Sequence, residues 1–302
     1  MKRYFTFTCI AVLCNLAFSQ SSQALLKVRN STWDKPFFEP AMVAKNNIQA
    51  IRVTASQQVG NRSLQTGKNL AYRFDDRGNL VQFAAYSNQD TSYLEAFGYT
   101  ESGGMKWSQV ENKSWNKTYK EGYRLNRNQT VFQAKAYEVI NEKSEEVMLL
   151  HTKQYVYLDG KDSLLQAIRY LENDRLVKQE RFKYDQRDRL VAESMLGARG
   201  DTLKHIAYTY SNQDLLTRIV TQEGVNVKES NYTYDAKGNP TRVQWLENGQ
   251  VKGTITYLYN AEGMLTEMQQ TLDEKKSANA VHTFEYEKRN ESATLAADKK
   301  GQ

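Results

Sequence analysis

The sequence predicts an all-β fold in which tandem β-hairpins form one long, twisted antiparallel meander sheet that coils or curls. Three observations favour it. Pairs of aromatic residues recur along most of the chain, turn-forming residues follow most pairs, and the composition suits strands. The 302 residues include 19 tyrosines and 11 phenylalanines but only 3 prolines. Aromatic side chains fit the pleated, half-buried surface of a sheet.

The beginning of the chain is typical of an export signal, and we predict a signal peptide over residues 1–19. Two basic residues open it, and an apolar stretch follows to about Leu16. The small residues Ala17 and Ser19 then occupy the positions that a signal peptidase reads. The apolar stretch is too short to span a bilayer comfortably. We therefore expect an exported protein, either periplasmic or exposed outside the cell.

Both cysteines of the chain, Cys9 and Cys14, lie inside this predicted signal. The mature chain would then contain none, which excludes disulfides, thiolate nucleophiles and cysteine-ligated metal centres. A lipoprotein signal at Cys14 is the alternative, although Leu13 stands where such signals usually have a small residue.

Charge and hydropathy bear on two further classes of partner. The formal net charge is +6, and 25% of the residues are charged, with both signs mixed and no dense basic run. Proteins that bind nucleic acid usually concentrate their basic residues, so we expect no nucleic-acid partner. No later apolar stretch reaches the length of a transmembrane helix, so we predict no membrane span in the mature chain.

The strongest signal is a repeat of about 25 residues, carried by aromatic pairs whose members are two residues apart. Successive pairs are 24 to 32 residues apart, and a degenerate pair at Tyr123 and Leu125 fills the one gap. Residues two apart in a strand point to the same face. Neighbouring rings can therefore stabilise the sheet by about 0.2–1 kcal/mol per cross-strand pair. The full pairs are Tyr72 and Phe74, Phe97 and Tyr99, Tyr155 and Tyr157, Phe182 and Tyr184, Tyr208 and Tyr210, Tyr232 and Tyr234, Tyr257 and Tyr259, and Phe284 and Tyr286.

Turn-forming residues follow the aromatic pairs. In the clearest copies, Asp75 is followed three residues later by Gly78, and Asp235 by Gly238. Aspartate at the first turn position accepts backbone N–H bonds, and glycine takes the positive φ that a bulged hairpin turn requires. Other copies substitute residues that tolerate the same geometry: Asp185 with Asp188, Ser211 with Asp214, and Asn260 with Gly263.

A second turn lies about midway through many units, as at residues 247–249. Each unit therefore holds two strands and two turns, and about nine units stacked end to end build one continuous meander. The recurrence of Asp75, Asp185 and Asp235 at one turn position favours backbone hydrogen bonding over catalysis or calcium binding.

Three segments make up the predicted mature chain. Residues 48–287 form the hairpin-repeat domain. Residues 20–47 lie outside the period and hold two of the prolines, and we interpret them as an extended cap that covers the first sheet edge. Residues 288–302 are polar and basic, so we expect a disordered tail.

The pattern Tyr-x-Tyr-Asp-x-x-Gly-Asn, most complete from Tyr232 to Asn239, resembles the YD repeat of the RHS-repeat family. The resemblance covers roughly residues 70–290. In that family the repeats form long β-strips that often coil into shells or carry surface interactions, commonly with carbohydrate or a packaged toxin. This chain is short and lacks the Asp-Pro-x-Gly-Leu-type processing motif of toxin-carrying shells. The resemblance therefore implies a small exported β-repeat protein.

Motifs for catalysis, cofactors or metals do not occur in the sequence. His151, His205 and His282 are far apart in the chain and form no local metal motif. No Gly-x-Ser-x-Gly elbow, phosphate loop or dinucleotide fingerprint is present. We therefore expect no catalytic, cofactor or metal site. Acidic residues are nevertheless numerous, so the sequence leaves open a pair of carboxylates facing each other across a cleft, as in a glycosidase.

Tryptophans are the candidate ligand-binding residues: Trp107, Trp115 and Trp245. Trp107 and Trp115 bracket a polar stretch ahead of the longest step in the repeat. An exposed ring beside polar groups can stack on a sugar or another protein, whereas core packing is the structural alternative for each ring.

We therefore predict a non-enzymatic binding or scaffold protein of the bacterial cell envelope, with a β-repeat surface that binds a glycan or an envelope protein. Two alternatives stay open. One is an envelope glycan hydrolase whose carboxylates are brought together by coiling of the sheet. The other is a structural accessory factor for outer-membrane assembly.

Overall fold

The computed structural model describes residues 38, 40–59, 62–113, 115–127, 130–141, 144–158, 161–272 and 279–289. These residues form one short helix and a single antiparallel sheet of 18 strands. The elements are α1 (Pro40–Lys45), β1 (Ile48–Val59), β2 (Arg62–Phe74), β3 (Leu80–Ser87), β4 (Asp90–Tyr99), β5 (Met105–Asn112), β6 (Lys117–Leu125), β7 (Val131–Asn141), β8 (Glu146–Leu158), β9 (Lys161–Glu172), β10 (Arg175–Tyr184), β11 (Leu190–Gly197), β12 (Thr202–Tyr210), β13 (Leu216–Glu223), β14 (Asn226–Tyr234), β15 (Pro240–Glu247), β16 (Gln250–Tyr259), β17 (Leu265–Leu272) and β18 (Asn279–Lys288).

Each strand pairs with the next one along the chain, and the last strand returns to the first. Tyr286 of β18 lies opposite Ile51 of β1, and Phe284 lies opposite Val53. The predicted all-β hairpin meander is confirmed. The prediction of a long meander sheet that coils or curls is wrong, because the sheet closes into an 18-stranded barrel. Closure accommodates the strand twist that prevents a flat sheet of this width, and it pairs the two terminal strands.

The aromatic pairs point into the barrel. Tyr72, Phe97 and Tyr155 are 3–7% exposed, and the inward residues form two apolar clusters. One cluster spans α1, β1 to β3 and β15 to β18, and the other spans β7 to β13. The outward face instead carries polar and charged side chains, such as the exposed ion pair of Arg52 with Glu287 at 3.3 Å. The aromatic pairs therefore face an interior with two apolar clusters, while charged side chains and scattered apolar ones, such as Leu258, face outward.

One end of the barrel carries turns of a repeated geometry. In the turn between β14 and β15, Asp235 Oδ1 accepts a hydrogen bond from the backbone N–H of Asn239 at 2.8 Å, and Gly238 has φ +82°. The side chain and backbone of Asn239 together lower the pKa of Asp235. Asp185 accepts the corresponding backbone bonds between β10 and β11, where Asp188 takes the positive φ. These carboxylates bind their own turns.

At the same end, seven tyrosines at the ends of their strands hydrogen-bond to the strand that comes immediately before in the chain. Each is the second member of its aromatic pair, and its hydroxyl donates to a backbone carbonyl near the start of that strand. The bonds are 2.5 to 2.9 Å long and join Tyr99 to Leu80, Tyr157 to Val131, Tyr184 to Leu165, Tyr210 to Leu190, Tyr234 to Leu216, Tyr259 to Pro240, and Tyr286 to Leu265.

Helix α1 packs over the apolar cluster at β1 to β3. Val43 is fully buried, and the Phe38 ring lies edge-on to Tyr72, with ring centres 5.1 Å apart, and to Phe284, at 6.3 Å. The described part of the cap segment is therefore helical where an extended chain was expected. Proline at the first helical position, here Pro40, favours this because its fixed φ suits a helix start.

Several sequence predictions lie outside the described residues. These are the signal peptide over residues 1–19, most of the cap segment over 20–47, and residues 290–302 of the predicted tail. Among the described residues, no helix has the length and apolar character needed to cross a membrane.

Candidate functional site

The three candidate tryptophans lie in different environments. Trp107 projects outward from β5 and is 41% exposed, whereas Trp115 lies in the turn between β5 and β6 and is 59% exposed. Trp245 points inward from β15 and packs against the apolar cluster around α1. Trp107 and Asn112 at the end of β5 are already about 17 Å apart at the usual strand rise. The structure therefore does not bring these rings together.

Trp107 lies across a glycine on the neighbouring strand. In the register of β4 with β5, it faces Gly98. A Cβ built at Gly98 would lie 2.1 Å from Nε1 and 2.4 Å from Cε2 of the indole. The absence of a side chain at Gly98 thus lets the ring rest on the sheet backbone. One side of the ring is covered and the other faces outward.

On its other side, Trp107 faces a second glycine, Gly122 of β6. A Cβ built at Gly122 would meet no atom within 4 Å, so the outer wall has an open gap there. Lys120 and Arg124 flank the glycine on β6, and Lys135 faces it from β7. We call these five residues, Trp107, Gly122, Lys120, Arg124 and Lys135, the outer-wall site.

The inner wall contains a matched tryptophan. Trp245 faces Gly253 of β16, and a Cβ built at that glycine would lie 2.2 Å from Cζ2 of the indole. It would also lie 2.5 Å from the carbonyl oxygen of Thr271. This ring therefore fills the interior, which gives Trp245 a packing role. The same tryptophan–glycine contact is structural inside the barrel and leaves a ring exposed outside it.

The inner wall also contains a band of buried charge. The repeat position two residues before each aromatic pair holds Glu95, Glu121, Lys153 and Glu180 in four consecutive units, and these residues are 1–8% exposed. In the other five units the same position holds Leu70, Ile206, Ser230, Ile255 and His282. The charges therefore occupy one sector of the interior, from β4 to β10.

Ionic and phenolic partners satisfy this band. Lys153 Nζ lies 2.7 Å from a carboxylate oxygen of Glu121, and both side chains are 2% exposed. Tyr123 donates to Glu121 at 3.0 Å, and Tyr170 donates to Glu180 at 2.8 Å. Burial, reinforced by Glu180, raises the pKa of Tyr170 well above its usual range, so its hydroxyl stays protonated as a donor. The ion pair and the tyrosine hydroxyls therefore compensate the cost of burying these charges.

His151 lies beside this band, with its ring centre 5.9 Å from that of Tyr170. Burial and the nearby Lys153 lower the pKa of His151, so it is neutral near pH 7. His205 instead faces outward and hydrogen-bonds Ser194 at 2.9 Å, while His282 lies on β18. The structure does not bring the three histidines together, and no set of three or more metal-binding side chains occurs among the described residues.

A third notable surface is a free strand edge. The pairing of β8 with β9 ends at Thr152, whereas β8 begins at Glu146 and is paired there only with β7 in the described residues. Val147, Met148 and Leu149 of this segment are 45–49% exposed. An exposed apolar edge of this kind suits the addition of a strand from another chain.

Sequence reasoning singled out Trp107 but missed the rest of the outer-wall site. Gly98 and Gly122 become its neighbours through the register of β4, β5 and β6, which the sequence does not display. The buried charges carried a usable signal, since alignment of the repeat units places them at one position. That comparison would have revealed the polar sector.

Comparison with protein families corrects the resemblance to the YD and RHS repeats. A family profile described as "Uncharacterised protein" matches residues 136–255, which is less than half of the chain. The comparison with curated proteins gave no match. The assignment to the YD or RHS repeat family is therefore wrong, because the profile that matches is a different one.

The chain is similar to a porin-like protein from Bacteroides uniformis at 10% identity and a TM-score of 0.41, over 80% of this chain and 98% of that one. A porin-like protein from Bacteroides vulgatus matches at 13% identity and a TM-score of 0.33, over 78% and 97%. The Photorhabdus luminescens Tc holotoxin pore matches at 10% identity and 0.21, over 80% and 17%. Such low scores carry no functional argument, and barrel closure rests on the strand pairing itself.

Proposed function

We propose that this protein is a non-enzymatic binding or scaffold protein of the bacterial cell envelope, which binds a glycan at the outer-wall site. The observation that carries this proposal is Trp107, whose ring lies on the backbone of Gly98 with its other side exposed. The site combines an exposed tryptophan with cationic neighbours, and tryptophan and arginine are both enriched at binding interfaces.

The site suits a sugar because it combines a flat apolar surface with hydrogen-bonding groups. An aromatic face packs against the C–H groups of a sugar ring, while polar neighbours bond its hydroxyls. Gln109 stands two residues from Trp107 on the outward face of β5, and the cationic side chains stand on β6 and β7. The ring is also held in place, because Gly98 supports it from below.

The outer wall supports a water-exposed location in the envelope. Charged side chains point outward from the middle of many strands, as Arg218 and Glu229 do in an ion pair 2.5 Å long. Outward charge near the centre of a lipid-facing wall would be costly. Together with the predicted export signal, this favours a periplasmic or extracellular protein whose barrel wall contacts water.

A glycan array with the purified protein tests the proposal. We expect binding to a subset of glycans that Trp107→Ala abolishes, because the stacking surface is removed. Trp115→Ala is the matched control, since it removes an even more exposed ring from a turn outside the site. Binding that survives Trp107→Ala, or the absence of any binding by the wild type, contradicts the proposal.

A protein partner is the second candidate, supported by the free strand edge at residues 146–150 of β8. A strand added there would satisfy the open backbone groups and cover Val147 and Leu149. This mode fits an accessory factor for outer-membrane assembly. Leu149→Lys should then abolish co-purification of a specific envelope protein, while Leu203→Lys, on an exposed residue of β12, should leave it intact. Equal recovery by both variants contradicts this candidate.

The glycan hydrolase alternative gains no support from the buried carboxylates. Glu121 and Glu180 are at most 8% exposed and are bound by tyrosine hydroxyls. A hydrolase needs two carboxylates that a substrate can reach. Glu121 and Glu180 instead accept hydrogen bonds from tyrosines inside the barrel.

A further inference from the structure

We infer that the outer-wall site takes an acidic sugar, a saccharide unit bearing a carboxylate such as a uronate. This inference rests on the proposed function and adds the chemical class of ligand. The geometry that carries it is a gap at Gly122, with an aromatic ring on one side and three cationic side chains around the remainder.

The gap has the width of one sugar ring. Trp107 and Lys135 stand on either side of Gly122, on strands that are two strand spacings apart, or about 10 Å. Lys120 and Arg124 lie along β6 on either side of the glycine, each about 7 Å from it at the usual strand rise. A sugar that stacks on the outward face of Trp107 and extends over Gly122 therefore places its substituents among three cations.

The charge at this site is free to meet a ligand. Lys120, Arg124 and Lys135 form no ion pair with any side chain among the described residues, whereas Lys153 on the inner wall is fully paired. The nearest outward carboxylate on β5 is Glu111, four residues from Trp107 and bound by Gln109 at 2.9 Å. The local excess of positive charge thus favours a carboxylate, which accepts charge-assisted hydrogen bonds.

A matched pair of probes isolates the carboxylate. Binding of an oligogalacturonate and of its neutral methyl ester, which differ in charge at each carboxyl group, is measured by titration calorimetry with the full mature chain. We expect the acid to bind at least tenfold more tightly than the ester, with affinity that falls as salt rises. Binding of the acid should be lost in Trp107→Ala and weakened at least tenfold in the double variant Lys120→Gln/Lys135→Gln.

Gly122→Val tests the gap itself. Valine suits a strand, and its Cβ would meet no atom within 4 Å at that position, so the fold should be retained while the space for the sugar is filled. We expect unchanged thermal unfolding and loss of binding. Lys183→Gln is the charge control, because it removes an exposed lysine from β10, away from the site.

The outcomes distinguish a failure of the acidic-sugar inference from a failure of the proposed glycan binding. Equal, Trp107-dependent binding of acid and ester overturns the acidic-sugar inference and leaves glycan binding at Trp107 standing. Two further outcomes overturn the inference. If binding of the acid falls equally in Lys183→Gln and in the double variant, the attraction depends on general charge and not on this site. If binding survives Gly122→Val, the sugar does not occupy the gap at Gly122. No binding of either probe, combined with a silent glycan array, overturns both.

Discussion

The inner and outer walls of this barrel use the same residue types for opposite purposes. Inside, Trp245 lies on Gly253 within the apolar cluster, and Lys153 is paired with Glu121. Outside, Trp107 lies on Gly98 with a free face, and the cations around Gly122 have no ionic partner among the described residues. A ring or charge that is already satisfied stabilises the fold, whereas an unsatisfied one is available to a ligand.

This contrast shows why residue type alone did not separate the tryptophans. The sequence made Trp107, Trp115 and Trp245 candidates and favoured the irregular region around the first two. Side-chain direction alternates along a strand, however, and one residue of register decides which wall a ring occupies. Trp245 then fills space, and Trp107 offers a surface.

The largest expected effect comes from the buried ion pair. Lys153→Met should lower the free energy of unfolding by about 3–5 kcal/mol, because it leaves Glu121 charged and unpaired in the interior. Replacing both partners, as Lys153→Met/Glu121→Leu, should recover much of this loss. Urea denaturation measures both. Arg218→Gln, which removes one partner of an exposed outer-wall pair, should change the midpoint little. Similar losses of unfolding free energy in Lys153→Met and Arg218→Gln would contradict the proposed difference between the inner and outer walls.

The next largest effect is the difference in stability between alanine substitutions at Gly253 and at Gly98, the glycines that contact the two tryptophans. Gly253→Ala places a methyl group against the Thr271 carbonyl and the buried Trp245 ring, so we expect a loss of about 1–3 kcal/mol from overpacking. At Gly98, the three atoms nearest to the methyl group of an alanine all belong to the indole of Trp107, which can swing into solvent. Gly98→Ala should therefore barely affect unfolding while it removes the stacking surface. Thermal melts and glycan binding of the two variants check this, and equal destabilisation would contradict it.

The smallest effect concerns the tyrosine bonds at the turn end. Tyr210→Phe removes the 2.7 Å bond to Leu190 and should cost about 1 kcal/mol. Burial raises the pKa of Tyr210 to about 12, against about 10 in the unfolded chain. Its contribution is therefore intact below pH 10 and is lost as the pH rises towards 12. The free energy of unfolding of the variant should therefore fall less steeply than that of the wild type between about pH 10 and pH 12, and urea denaturation across this range measures the difference. An equal fall in both proteins would contradict this prediction.

Local sequence signals predicted the strands well, because the aromatic pairs and the turn residues act within a few positions of each other. Asp235 and Gly238, for example, close a turn with little help from the rest of the chain. Barrel closure was not predictable, since it depends on pairing Ile51 with Tyr286, residues from opposite ends of the repeat domain. The helix α1 was missed because the prolines around it favoured an extended chain.

The candidate site was predictable only in part for the same reason. Trp107 is visible as an aromatic residue in a polar stretch, but its support by Gly98 and the gap at Gly122 arise from the register of three strands. The buried charges of Glu121 and Lys153 could have been found by comparing repeat units, because each stands two residues before its aromatic pair.

The most direct measurement follows the indole N–H signals of the protein by nitrogen-15 NMR during titration with an oligogalacturonate. Trp107→Ala and Trp245→Ala spectra assign the two signals. We expect the Trp107 signal to shift on binding while the Trp245 signal stays in place. A shift at Trp245, or an unchanged Trp107 signal at saturating ligand, would contradict the account that the outer wall binds and the inner wall supports.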